Sequence, residues 1–141
     1  LMKNVYEILD EFDQADGKKE KIQVLHNNMN NILAGVLQLT FNPNIDWHIK
    51  EVPENYSPRV IPAGMSYARL STELRKLYLF QKGNPTADKL TEKKREQLLV
   101  EFLDNLEPRE AEVIMGIFNK DLGVKGLNAK FVKENFPQLL N

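Results

Sequence analysis

The stretch that decides the fold is Leu98-Leu99-Val100-Glu101-Phe102-Leu103-Asp104-Asn105-Leu106-Glu107-Pro108. Leu98, Leu99, Phe102, Leu103 and Leu106 recur at three and four, the spacing that lines one face of an α-helix. Pro108 then falls where a new helix can begin, because a first helical residue has no use for its N–H. Val113, Ile114, Ile117 and Phe118 repeat the same stripe immediately afterwards. Two amphipathic helices joined by two or three residues predict an all-helical domain in which neighbours pack face to face.

The same period runs outward in both directions. Towards the N-terminus, Val5, Ile8, Leu9 and Phe12 form a first stripe, with Glu7, Asp10, Glu11 and Asp13 on the polar side. Asp16-Gly17 breaks it. A second helix is expected from about Lys18, with Ile22 and Leu25 inward. After the asparagine-rich break Asn27 to Asn31, a third carries Ile32, Leu33, Val36 and Leu37 and ends at Asn42-Pro43-Asn44. Leu70, Leu74, Leu77 and Tyr78 predict a fourth that stops near Gly83-Asn84-Pro85. Thr91 caps the helix containing Leu98. Gly123 and Gly126 predict a loop, and Asn128 caps a short last helix with Phe131 and Val132, closed by Pro137. Seven helices in one domain spanning residues 1–141 are expected.

Residues 45–64 follow another rule. Ile45, Trp47 and Ile49 alternate with Asp46, His48 and Lys50, a strand-like period of two. Pro53, Pro58 and Pro62 forbid a long helix, so the segment is expected to be irregular or briefly extended. The alternation puts Trp47 on the side facing the core. Burial for packing is expected, in preference to stacking on a base.

Composition narrows the function. Nineteen Lys and Arg stand against 20 Asp and Glu, for a net charge of −1 in 141 residues. There is no cysteine, which removes disulfides, thiol nucleophiles and cysteine-based zinc sites. His26 and His48 have no carboxylate at helical spacing that suggests a triad or a metal site; His26 reads as helix surface and His48 as packing. Carboxylate neighbours such as Asp10 with Glu11, or Glu110 with Glu112, are expected on solvated helix faces. No apolar run is long enough to span a membrane, and no signal peptide is present in this sequence. No nucleotide-binding glycine fingerprint or nucleophile elbow occurs; Gly123-Val124-Lys125-Gly126 lacks the Lys-Ser/Thr of a phosphate loop. No cofactor, metal or small-molecule substrate is expected, and no catalysis.

Three basic groups are candidates for ligand contact. Lys18, Lys19 and Lys21 open the second helix. Lys93, Lys94 and Arg95 open the one after Thr91, diluted by Glu92 and Glu96. Lys120, Lys125, Lys130 and Lys133 cluster near the C-terminus, opposed only by Asp121 and Glu134. In this last group Gly126 lets the backbone come close to a ligand. Asn128 can cap the helix and turn its amides towards an anion, so loop amides and lysines can together hold a phosphate. A helical corner with solvated lysines fits the same residues.

The order of these elements resembles the N-terminal DNA-binding domain of viral ATP-dependent DNA ligases, of the T-even bacteriophage type. The likeness runs through Ile8-Leu9-Asp10-Glu11, the Lys18 to Lys21 entry to Val24-Leu25, Leu39-Thr40-Phe41, the Trp47 to Ile49 stretch and Lys50-Glu51-Val52-Pro53. It continues at Gly64-Met65, Asp121-Leu122, Gly126 and Phe136-Pro137-Gln138-Leu139. The resemblance implies an all-helical domain that grips duplex DNA across the minor groove through phosphates, using helix ends and loops. The C-terminal glycine loop is among those contacts, so the resemblance favours Gly126, Asn128 and Lys130; together with the basic groups, the DNA-binding candidates are Lys18, Lys19, Lys21, Lys120, Lys125, Gly126, Asn128, Lys130 and Lys133.

The chain departs from that family in one decisive respect. Ligase chemistry needs a Lys-x-Asp-Gly motif, and Asp16-Gly17 is preceded by Gln14 where the lysine would stand. A free-standing, non-catalytic, sequence-independent module for duplex or nicked DNA is the leading expectation, in the cytoplasm of an infected host cell. The ending Leu139-Leu140-Asn141 favours a free-standing relative over an excised domain. The alternative is a protein-interaction or structural phage protein that kept the fold without the DNA, with a phage or host replication or repair protein as partner. The near-neutral charge, the acidic first helix and the candidate exposed rings Tyr56, Tyr67 and Tyr78 support it. A third reading is an accessory that modulates a ligase by competing for its DNA.

Overall fold

A computed structural model describes residues 3–51, 53, 56–57 and 68–141. Val52, Pro58, Pro62, Gly64, Met65 and Tyr67, which entered the sequence reading, lie outside them. The described chain is all-helical. Its elements are α1 (Val5–Gln14), α2 (Gly17–Asn27), α3 (Asn31–Phe41), α4 (Leu70–Glu73), α5 (Pro85–Lys89), α6 (Glu92–Asn105), α7 (Pro108–Asn119) and α8 (Ala129–Asn135). Two 3-10 helices, Leu74–Phe80 and Pro137–Leu140, complete them.

Most boundaries follow from local chemistry. Gly17 starts α2 with φ +84°, a conformation that side chains with a Cβ rarely adopt. Asn30, which reads as part of a break, works as a cap, and Asn128 caps as expected. Asn30 accepts from the Leu33 amide at 2.9 Å, and Asn128 from the Phe131 amide at 2.8 Å. Thr91 accepts from the Lys94 amide at 3.1 Å. Pro108 opens α7 as expected.

Three differences from the expected seven helices have plain causes. Asn84-Pro85 is a start as well as a stop. The Asn84 side chain accepts from the amides of Thr86 and Ala87, with Pro85 in the first turn, and α5 follows. Its five residues are too few to show a stripe. The expected fourth helix changes type after Glu73 because Leu74, Leu77 and Phe80 recur at a strict three. Residues three apart eclipse one another in a 3-10 helix, so all three turn towards the core while Tyr78 stays exposed. At the C-terminus, Pro137 lies beyond the end of α8 and opens a further 3-10 turn.

Helix α7 is the central strut. It is buried along Ala111 and from Val113 to Phe118, and α1, α3, α4 and α6 pack on it. The segment around Trp47 closes the core from the side. Trp47 forms an isolated antiparallel bridge with Gln81, flanked by bonds from the His48 amide to the Phe80 carbonyl and from the Lys82 amide to the Asp46 carbonyl, both 2.9 Å. Its indole, 1% exposed, meets Phe118 edge-on at 5.1 Å, and Phe80 links Phe118 to Phe102 at 5.4 and 5.3 Å. The burial expected from the period of two is observed, and the described part of 45–64 contains no helix.

Gly116 shows how tightly the chain folds back after α7. A Cβ there would meet the Asp121 carbonyl at 3.0 Å and Leu122 Cα at 3.2 Å, both backbone atoms. Alanine is ordinarily the better helix former by about 1 kcal/mol. The contact reverses that preference, and Gly116→Ala is expected to lower stability by about 1–3 kcal/mol through overpacking. A thermal melt checks this; a raised melting temperature would contradict it.

Candidate functional site: a basic corner between α2 and α8

Phe12, near the end of α1, is fully buried and meets Phe131 of α8 edge-on, with ring centroids 5.3 Å apart. That contact brings the start of α2 to α8. Lys18 lies 3.7 Å from Glu134, an exposed pair that contributes little to stability but marks the proximity. Lys130 lies one turn before Glu134 and borders the same contact, and Lys130 and Lys133 are both exposed. Lys19 is also exposed. Lys125 is exposed in the loop that leads into α8, beside Gly126 at φ +85°, where an added Cβ would meet nothing within 4 Å.

Not every expected site residue is available at this corner. The Lys21 ammonium donates to the Phe12 carbonyl at 2.6 Å and to the Asp13 carbonyl at 3.4 Å, and sits 4.9 Å from the Phe12 ring centroid. It satisfies the end of α1. Lys120 takes the left-handed φ of 58° that ends α7, and its ammonium donates to the Ile45 carbonyl. It ties α7 to the Trp47 segment. Asn128 caps α8 as expected, but that bond already occupies one amide of the first turn. With seven residues, α8 has few peptide dipoles to align. Lysine charge therefore carries more of any attraction for an anion than the helix end does. At the other expected group, Lys93 and Lys94 are exposed, whereas Arg95 donates to the carbonyls of Ala87 and Leu90.

Several charged groups expected on open faces are engaged. Asp10 receives two bonds from Arg109, at 2.8 and 2.9 Å, and that guanidinium holds its carboxyl below the usual aspartate range. Glu110 is half-buried and accepts from the Leu70 amide at 3.1 Å; burial pushes its carboxyl up. His48 Nε2 lies 2.7 Å from Asp88 Oδ1, which also accepts from the Gly83 amide at 3.1 Å. The His48 contact and that amide lower the Asp88 pKa. This pair fastens the Trp47 segment to α5, in keeping with the packing role read for His48. These partners are 40 residues or more apart in the chain, so no local motif could have shown them. Among the described residues no group of three His, Cys, Asp or Glu could hold a metal ion. No described helix is long and apolar enough to cross a membrane.

The family model for a family of unknown function, DUF6433, matches residues 8–124. The chain belongs to this family. No curated protein matches it. Within this DUF6433 chain the matched span covers α2 with Lys18, Lys19 and Lys21, the Trp47 segment and α7. It ends before Lys125, Gly126, Asn128, Lys130 and Lys133.

Proposed function

We propose that this DUF6433 protein is a non-catalytic module that binds duplex DNA without sequence preference. The observation that supports the reading is the Phe12–Phe131 packing with the Lys18–Glu134 contact beside it, which brings the exposed lysines at the start of α2 close to α8. Such lysines displace counterions from phosphates, and that release is the main source of sequence-independent affinity. The resemblance to phage ligase N-terminal domains supplies a mode of contact, through helix ends and loops. The net charge of −1 limits the affinity, so binding is expected to be weak and confined to low salt.

The test is DNA affinity against salt for nicked and intact duplex, with wild type and the double variant Lys125→Ala plus Lys130→Ala. Each phosphate contact removed should reduce the salt slope by about one unit, without changing sequence preference. Both positions are exposed, so the thermal melt should stay unchanged. Identical slopes would remove these two lysines from the contact. Absence of binding at low salt would favour the second reading, an interaction protein that keeps the fold without DNA. The engagement of Lys21 and Lys120 inside the fold supports that second reading.

A further inference from the structure

Alongside α1, a cleft of about 520 Å³ opens between this helix, α7 and the loop from Asp121 to Val124. Its apolar wall comes from Leu9, Met115, Leu122 and Val124, and the rings of Tyr6 and Tyr56 border it. Asp10, Asp13, Glu112 and Asp121 also line it, and among the described residues the cation there is Arg109. Asp10 and Asp121 have partners within the fold, the Arg109 guanidinium and the Gly123 amide. Glu112 reaches Arg109 only at 4.0 Å, and both it and Asp13 are exposed. The cleft thus offers an apolar wall and at least two carboxylates open to a cation.

We propose that this cleft docks a basic, apolar-anchored segment of a partner protein. Charge complementarity selects the occupant. Among the described lining residues four carboxylates face the Arg109 guanidinium, so Lys or Arg is attracted and phosphate is repelled. The apolar wall has room for an aliphatic side chain between the charged contacts. Tyr, Arg and Met are the residue types enriched where proteins bind one another, and Met adapts its shape to what it meets. The site is also held in place before binding. Arg109 is clamped twice by Asp10 and stacked 4.9 Å from the Tyr6 ring centroid, and the Tyr6 hydroxyl donates to Glu107. Gly116 lets the loop wall close on α7, as the backbone contacts above require. Groups already ordered lose little freedom on binding. None of this rests on the DNA reading, whose lysines are not needed here.

The test uses the full chain, labelled with nitrogen-15, and three synthetic peptides. One carries Lys and Leu at helical spacing, one has Glu in place of Lys, and one has Ser in place of Leu. The Lys/Leu peptide is expected to shift amides around Leu9, Met115 and Leu122, with affinity that falls as salt rises. The Glu and Ser peptides are expected to leave them unmoved. Asp13→Lys plus Glu112→Lys should weaken the Lys/Leu peptide by about tenfold, through lost attraction and new repulsion. An unchanged melt and amide spectrum for that variant would show it folded. Shifts centred elsewhere, equal binding of the Glu or Ser peptide, or unchanged affinity in the double variant would each overturn the proposal. So would shifts at the cleft on adding duplex DNA. Self-association that the double variant abolishes would replace the partner by a second copy of this chain. Loss of DNA binding in the Lys125 and Lys130 variant leaves every one of these outcomes unchanged, so the two readings fail separately.

Discussion

Trp47→Ala is expected to destabilise the protein by about 3–5 kcal/mol, the range for truncating a large buried aromatic. The residue is 1% exposed, and its indole fills the space beside Phe118 in the chain of rings that continues to Phe80 and Phe102. Alanine would leave a cavity that the surrounding helices cannot close, because Phe80 and Phe118 are fixed from their other sides. It would also loosen the bridge to Gln81, since the segment from Ile45 to Ile49 has no helix of its own to hold it. A melting temperature lower by roughly 10 °C or more is the corresponding reading. Trp47→Phe should cost less. It keeps a ring against Phe118 and removes an indole N–H that is buried with no hydrogen-bond partner among the described residues. Urea unfolding of both variants checks the order. An unchanged midpoint for Trp47→Ala, together with loss of a ligand, would make Trp47 a binding residue and not a packing one.

Phe12→Ala is expected to cost a comparable amount, about 3–5 kcal/mol, and to act unevenly along the chain. Phe12 is fully buried, with Phe131 against its edge and the Lys21 ammonium near its ring. Helix α8 has seven residues, far fewer than the roughly 12–15 an isolated helix needs to be even marginal in water. It is therefore held by packing, with Phe131 as one of its two buried side chains. Amide exchange should show α8 losing protection before α7, whose buried run does not depend on Phe12. If α8 kept its protection while global stability fell, another contact would be anchoring it. Under the DNA-binding proposal the same variant should also weaken that binding, because the corner of α2 and α8 depends on this contact.

The helices were largely legible because their signals are local. The stripes at three and four name the buried faces of α1, α3, α6 and α7, and Asp16-Gly17, Pro108 and Asn128 mark boundaries that the structure keeps. The period of two at Ile45, Trp47 and Ile49 was enough to place the indole inside. What failed was also local in cause. Five residues of α5 cannot carry a stripe, and Asn84-Pro85 serves as a stop and a start with the same chemistry. The strict spacing of Leu74, Leu77 and Phe80 marks a 3-10 helix only when the third position is weighed against Tyr78.

The candidate site was legible as a set of lysines and not as a surface. Lys18, Lys19, Lys125, Lys130 and Lys133 look alike in the sequence to Lys21 and Lys120. Whether a lysine faces solvent or reaches a carbonyl depends on where a distant part of the chain passes. Lys120 meets the carbonyl of Ile45, and Arg109 meets Asp10 across nearly a hundred residues. The acidic cleft was invisible for the same reason, since α1, α7 and the loop after it each contribute a wall that is unremarkable alone. Side-chain periodicity is set by backbone geometry over a few residues, so local spacing alone is enough to name the buried faces and most helix starts. Pairing between faces is set by packing among helices far apart in the chain, so which charges the fold ties down and which stay exposed emerges only from the packed structure.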